Sequence, residues 1–249
     1  MTSHPLSLET KKKLENVSVA TIATALFKRG LRNQVIQDVR PLAQKGRNMV
    51  GPAFTLRYMP AREDRNQLSE FRNPAHPQRR AIEECPAGHV LIMDSRKSAY
   101  AASAGDILVT RLMMRGAAGV VTDGGFRDAM NIAKLEMPAY QNRPSSPTNL
   151  TTNEASAINE PIGCGDAPVF PGDIVVGDDD GVIIIPASIA KEVADEAYEM
   201  TAYESFVIEQ VQQGATIIGL YPATKDENLT KFAEWRKKKN IAQGGPRDT

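Results

Sequence analysis

Apolar residues recur at helical spacing through VSVATIATALFKR, from Val17 to Arg29, with Ser18 placed to cap the first turn and Gly30 to stop the last. This predicts a first helix. After the basic, Pro-containing stretch 39–47, the run MVGPAFTLRY alternates as a strand. Val50, Phe54 and Leu56 lie on one side and Thr55 and Arg57 on the other, and Gly51-Pro52 marks a strand start or a bulge. Residues 60–80 are polar and rich in Arg, Asn, Glu and Pro, which predicts a long surface excursion, a lid or an interface arm. HVLIMD, His89 to Asp94, then returns as a short apolar strand.

The next segment parses as a helix from Asp106 to Arg115, a Gly turn, a strand from Gly119 to Thr122 and a Gly-rich turn. A second helix from Phe126 to Leu135 and a strand from Met137 follow. Two β-rich runs, Asp173 to Val176 and Val182 to Ile185, flank the acidic turn 177–181 and predict a hairpin. Pro186 ends it, and an amphipathic helix from Ser188 to Gln213 stops at Gly214. The remainder, 224–249, predicts one amphipathic helix holding Phe232 and Trp235, then a basic tail that frays or packs on a neighbouring subunit. There is no internal repeat, and the order of elements predicts an α/β domain of stacked layers.

With 249 residues, 41% hydrophobic and 24% charged, the chain has material for one large core and too much of it for wholesale disorder. Thirty basic residues balance thirty acidic ones, without the excess that phosphate neutralisation requires, so no nucleic-acid partner is expected. No run approaches a membrane span or a signal segment, and Cys85 and Cys164 form no CxxC pair. The expectation is a cytoplasmic protein with reduced thiols and no membrane partner.

The candidate chemistry lies between Gly105 and Asp128. Asp106 follows Gly105 where a loop enters a helix, so the N–H groups of Asp106, Ile107 and Leu108 lack intrahelical partners and suit a carboxylate or phosphate. Arg127 and Asp128 follow the Gly124-Gly125 turn at the end of a buried strand, where ligands collect in α/β folds. A planar guanidinium suits the carboxylate of a 2-oxo acid, and two carboxylates suit a hard divalent cation that polarises its keto oxygen. That set points to pyruvate enolate chemistry.

GDILVTRLMMRGAAGVVTDGGFRD resembles the signature block of the RraA-like family, which holds metal-dependent 4-hydroxy-4-methyl-2-oxoglutarate and 4-carboxy-4-hydroxy-2-oxoadipate aldolases as well as regulators of ribonuclease E activity. VSVATIATALFKRG, DVRPL, MVGPAFTLR and PGDIVVGDDDGVIIIP resemble further family blocks, together spanning residues 17–204. The resemblance implies a layered, swivelling β/β/α domain over residues 1–214, with 215–249 as a C-terminal helical extension and tail, assembled as a homotrimer or homohexamer. The aldolase branch carries Asp-X20-Arg-Asp, whereas the regulators usually have Gly at the first position, and this chain has Asp106, Arg127 and Asp128 in register. The implied roles are Arg127 on the pyruvyl carboxylate and keto oxygen, Asp128 as ligand to Mg2+ or Mn2+, Asp106 holding a metal-bound water for proton transfer, and Gly105 to Leu108 as a backbone cradle.

Three departures bear on the substrate. Asn131 stands where the family often has an acidic residue, QNRPSSPTNLTTNEASAI replaces a stretch running into Gly-Thr and Arg, and the 60–80 excursion is long. These altered segments are expected to shape the distal half of the pocket. The aldolases also take a glutamate from a neighbouring subunit, for which Glu204, with Glu199 as the alternative, is the candidate here. His89 reads as a packed or capping residue, His4 and His76 as solvated, Asp178 to Asp180 as a solvated turn, and Ser95, Ser98 and Ser103 lack a hydrolase pattern. No GxGxxG or P-loop sequence occurs, so no nucleotide cofactor is expected. The activity expected is a carbon–carbon lyase on a 4-hydroxy-2-oxo acid, with oxaloacetate decarboxylation as a side reaction. The alternatives are a non-catalytic ribonuclease-binding regulator and a metal-dependent enzyme on a sugar-acid-derived oxo acid.

Overall fold

The structure, a computed structural model, describes residues 6–239. His4 and the tail 240–249 lie outside the described residues. In chain order the elements are helices α1 (Leu8–Leu14) and α2 (Val19–Lys28), strands β1 (Val35–Ile36), β2 (Arg40–Pro41) and β3 (Met49–Pro60), helix α3 (Pro77–Glu84) and strands β4 (Val90–Asp94) and β5 (Ala102–Ala104). Helix α4 (Asp106–Met114), strands β6 (Gly119–Thr122) and β7 (Gly125–Phe126), helix α5 (Ala129–Ala133) and strands β8 (Ala139–Gln141), β9 (Asn153–Ile158), β10 (Ile174–Gly177) and β11 (Val182–Ile185) follow. Helices α6 (Ala190–Gln212) and α7 (Asp226–Lys238) end the described chain.

A nine-stranded mixed sheet runs β1-β11-β10-β3-β4-β6-β8-β2, with β9 paired to the distal half of β3. The β3-β4-β6-β8 pairs are parallel and the flanking pairs antiparallel. Side-chain alternation explains its layers. Val90, Ile92, Val121, Val175, Val182 and Ile184 meet on the concave side of the curled sheet, while their neighbours Leu91, Met93, Val120, Ile174, Val176, Ile183 and Ile185 point outward. The outward residues are covered at one end by α1, α2 and α6 and at the other by α3, α4 and α5. Val50 packs with the first helix group and Phe54 and Leu56 with the second, so the predicted one-sided face of β3 serves both.

Several boundaries differ from those the pattern predicts. The irregularity in β3 falls between Arg57 and Tyr58, not at Gly51-Pro52. Gly51 is instead a close approach, where a Cβ would come within 2.4 Å of the Gly88 carbonyl oxygen. The 60–80 excursion holds a 3-10 turn (Leu68–Arg72) and the start of α3, with Pro77 at the helix N-terminus where its missing N–H costs nothing. The acidic turn is not merely solvated: the Asp178 carboxylate accepts a 2.7 Å hydrogen bond from Val19 N–H at the start of α2. There it complements the helix dipole.

Helix α7 docks on α6. Phe206, Val207 and Leu220 form a small core with Tyr203, Phe232 and Trp235, and buried Arg236 donates to both oxygens of Glu199 at 2.7 and 2.8 Å. Among the described residues no helix is long and apolar enough to cross a membrane.

Candidate active site

The short parallel pair β5-β7 frames the site. Ala102 N–H donates to the Pro147 carbonyl, Arg127 N–H to Ala104 and Ser145 N–H to Phe126, while Phe126 N–H donates to the Gln141 side chain at 2.8 Å. These bonds keep Gly125 and Phe126 extended, with Phe126 fully buried, so the predicted helix 126–135 begins only at Ala129. Asp128 turns the chain between them in the left-handed region, at φ 56° and ψ 34°. Asp tolerates that conformation better than a bulkier side chain would. Gly124 and Gly125 are required by space: a Cβ would lie 2.7 Å from Ser95 Cβ at the first and 2.4 Å from the Arg143 carbonyl oxygen at the second.

Gly105 is the N-cap of α4 without any side-chain cap, and the first helical bond is Val109 N–H to its carbonyl, at 3.1 Å. The N–H groups of Asp106, Ile107 and Leu108 therefore have no intrahelical acceptor. A Cβ on Gly105 would sit 3.4 Å from Asp128 Oδ2 and 3.7 Å from Arg127 Cβ, so the absent side chain leaves this helix end next to both residues. Asp106, half-buried, accepts a 2.9 Å hydrogen bond on Oδ2 from Asn131 Nδ2. Asn131 is thus the partner of Asp106, a role its sequence position does not signal.

Gly105, Asp106, Ile107, Leu108, Arg127 and Asp128 line one cleft of about 350 Å3. It is lined as well by residues of the two altered segments, Phe71, Gln78 and Arg79 from one and Thr148 and Asn149 from the other. Gln78 donates to the Ser103 carbonyl at 2.6 Å, as does Tyr58, whose phenol burial holds far above its ordinary acidity range, and so ties α3 to β5. Glu204 and Glu199 lie outside the cleft within one chain. The first accepts from Thr21 and Tyr221, and the second is paired with Arg236.

Behind the Gly-Gly turn, Asp123 is buried and accepts N–H bonds from Ser95, Lys97 and Gly165 at 2.6, 3.0 and 3.0 Å. Burial still raises its pKa above the ordinary carboxylate value. Ser95, Ser103 and Thr122 form a buried hydroxyl cluster beside it, which accounts for two of the upstream serines as scaffold. The buried strand ending in Asp123 is the signal that would have marked this anchor.

The RraA-like profile, described as Aldolase/RraA, matches residues 19–184. The chain belongs to the RraA-like family. It is 31% identical over 173 residues, 70% of this chain and 75% of the relative, to a Halalkalibacterium halodurans protein named "Putative 4-hydroxy-4-methyl-2-oxoglutarate aldolase". It is 26% identical over 208 residues to the Legionella pneumophila protein DlpA, covering 83% of this chain and 32% of that larger protein. Among solved structures, Streptomyces coelicolor RraAS2, described as an unusual member of the RNase ES inhibitor RraA protein family, superimposes with a TM-score of 0.71 at 31% identity. That match covers 82% of this chain and 97% of RraAS2. The curled α/β architecture is that of the RraA-like family.

Proposed function

We propose that this RraA-like protein is a divalent-metal-dependent lyase that cleaves a 4-hydroxy-2-oxo acid through a pyruvate enolate, with oxaloacetate decarboxylation as a side activity. The observation that carries it is the meeting of Asp106, Arg127 and Asp128 around the open first turn of α4 in one cleft. The donor set fits the ion: it is all oxygen, and Mg2+ is commonly held by one or two carboxylates and otherwise by water. Among the described residues no group of three or more His, Cys, Asp or Glu gathers to hold a metal. Asp128 would be the ligand to Mg2+ or Mn2+, with Asp106 facing its water shell. The bound ion would supply Lewis acidity at the 2-keto oxygen.

The chain's own groups do the rest. The N–H groups of Asp106 to Leu108 bind the substrate carboxylate, and the Arg127 fork holds carboxylate and keto oxygen together. Asp106, fixed by Asn131, relays the proton from the 4-hydroxyl as the C3–C4 bond breaks and its electron pair moves into the enolate. Proton return to C3 then yields pyruvate. In this reading residues 1–214 are the catalytic domain, 215–249 are an appended extension, and the exposed Ile107 and Met130 beside the cleft face another subunit of a homotrimer or homohexamer.

The test is metal-dependent pyruvate release from 4-hydroxy-4-methyl-2-oxoglutarate and oxaloacetate by wild type and by Asp106→Gly. Loss of turnover in a folded variant supports the lyase. The likeness to RraAS2 favours a second reading, a ribonuclease-binding regulator. Under it neither compound yields pyruvate, and Asp106→Gly leaves binding unchanged.

A further inference from the structure

Asp123, 1% exposed, joins the loop after β4 to the segment between β9 and β10, taking the N–H groups of Ser95 and Lys97 from the first and that of Gly165 from the second. Both stretches pass through the left-handed region that side chains disfavour, at φ 57° for Arg96, 56° for Lys97 and 66° for Asp166. Such conformations persist only where the surroundings hold them. Three N–H donors converging on one group call for an acceptor with lone pairs on both oxygens, which a carboxylate has and an amide lacks. The loop held in this way is the wall behind the Gly-Gly turn. A Cβ on Gly124 would lie 2.7 Å from Ser95 Cβ and 2.8 Å from the Ser98 carbonyl oxygen. Ser95 is held a second time through its hydroxyl, 2.7 Å from that of Ser103 on β5 and 3.3 Å from that of Thr122 on β6. The Thr122 hydroxyl in turn accepts the Gly124 N–H at 3.0 Å. On this side the turn has no room to shift, and Phe126, Arg127 and Asp128 continue directly from it.

We infer that Asp123 is a positioning residue, whose ionised carboxylate fixes the 95–98 wall and, through the Gly124-Gly125 turn, sets where Arg127 and Asp128 stand in the cleft. This rests on the lyase reading and deepens it. The charge of Asp123 then matters as well as its bulk. A protonated carboxyl turns an O–H toward converging N–H donors and loses at least one of the three bonds. Burial holds Asp123 above the ordinary carboxylate value, against the lowering effect of those bonds. The charged and titratable groups around it are Asp94 on β4, which raises it further, Lys97 paired with Asp166, and the Cys164 thiol, itself pushed up by burial. Asp38 acts on Lys97 from the β1-β2 connection.

The test compares Asp123→Asn with Asp173→Asn in the full chain with Mg2+, reading Tm by calorimetry and kcat and KM for pyruvate release from 4-hydroxy-4-methyl-2-oxoglutarate. Asp173 is the matched control. It is 9% exposed, accepts N–H bonds from Phe170 and Ala187 at 3.0 and 3.2 Å, is likewise raised by burial, and does not line the cleft. In Asp123→Asn kcat should fall on the order of 100-fold while KM rises by no more than about fivefold, because the α4 N–H groups still hold the carboxylate. Asp173→Asn should change kcat by less than about twofold at a similar loss of Tm. The ratio of wild-type to Asp123→Asn kcat should shrink as pH falls, since protonation gives the wild type the uncharged group of the variant. Titration elsewhere in the cleft is common to both proteins and cancels in the ratio. Wild-type kcat in a folded Asp123→Asn, a ratio independent of pH, or an equal loss in Asp173→Asn overturns the inference. If Asp123→Asn does not fold, Thr122→Val, of similar shape but without the acceptor for Gly124 N–H, decides. A loss of about tenfold in its kcat supports the inference, and wild-type kcat overturns it. If the wild type releases no pyruvate, the lyase reading falls, and backbone hydrogen exchange at Arg127 and Ser145 decides instead. Faster exchange there in Asp123→Asn than in Asp173→Asn supports the positioning role, and equal exchange overturns it.

Discussion

Gly125→Ala probes the frame that holds Arg127 and Asp128. A Cβ there would lie 2.4 Å from the Arg143 carbonyl oxygen and 2.9 Å from Ser145 Cβ, against the 3.4 Å at which ordinary contact begins. The β7 strand must therefore move by roughly 1 Å away from the 143–145 segment, and Ser145 N–H to Phe126 O, on that side, is the bond first stretched. Overpacking of this kind costs about 1 to 3 kcal/mol. For a domain of this size that lowers Tm by roughly 2 to 12 °C. The chemical effect is larger than the stability effect, because a misplacement of about 1 Å at a reacting group costs on the order of 100-fold in rate. Calorimetric Tm and metal-dependent pyruvate release would be measured for Gly125→Ala beside Gly163→Ala, whose added Cβ meets nothing within 4 Å and should be silent. Wild-type Tm and turnover in Gly125→Ala would refute the claim that this strand is packed too tightly to shift and that it positions the site.

Arg127→Lys should lose most of the activity while keeping its Tm, because a point charge does not reproduce a two-point grip, and near-normal turnover would remove Arg127 from that role. Glu199→Ala should leave Arg236 without its bidentate partner at a cost of about 1 to 3 kcal/mol and loosen α7. Trp235, the chain's single Trp, should then report the change as red-shifted emission, and an unshifted spectrum would contradict the docking. Burial, helped by the Arg79 charge, holds the His76 imidazole below its ordinary 6.5, against weaker raising effects from Glu70 and Glu154. The unfolded chain therefore binds the extra proton first, so this contribution to stability is present above pH 6.5 and fades as pH falls toward the folded-state value. His76→Gln should flatten that part of the stability–pH curve, and an unchanged slope would refute the assignment.

What the chain makes legible depends on whether the deciding contact is local. The strands around Val90, Val120 and Val182 announce themselves because fully apolar runs bounded by Gly and Asp fit few other structures. Asp106, Arg127 and Asp128 are legible for a similar reason: a loop–helix junction and a Gly-Gly turn are local features, and the structure brings them to one cleft. Phe126 misleads because helical spacing with Met130 and Ile132 is satisfied in the sequence, while its pairing with Ala104 and its bond to Gln141 come from the tertiary frame. Arg79 and Asn149 carry no local mark at all. Each is a polar residue in a polar segment, and only the tertiary fold brings them to the cleft. His76 lies in a polar, Pro-flanked segment that predicts a solvated side chain, yet it is 4% exposed, with its ring edge-on to Phe71 of the 3-10 turn.

The division between legible and hidden residues follows the division of labour in the cleft. The pyruvyl end rests on α4, β5 and β7, whose backbone bonds and space-limited glycines tolerate little change, so its motif is compact in sequence. The distal end rests on α3, which packs Ala81 and Ile82 into the core with Cys85 at its end, and on the 148–149 turn, both tied to β5 through bonds such as Gln78 to Ser103 and Ala102 to Pro147. The side chains of Phe71 and Arg79 carry none of these anchoring bonds, so they can be exchanged while the frame of the reacting end stays in place. It follows that a double variant, Arg79→Met with Phe71→Leu, should alter which oxo acid is accepted far more than it alters metal-dependent exchange of the pyruvate methyl protons with solvent. Equal losses in both would show that the two groups of residues act as one unit.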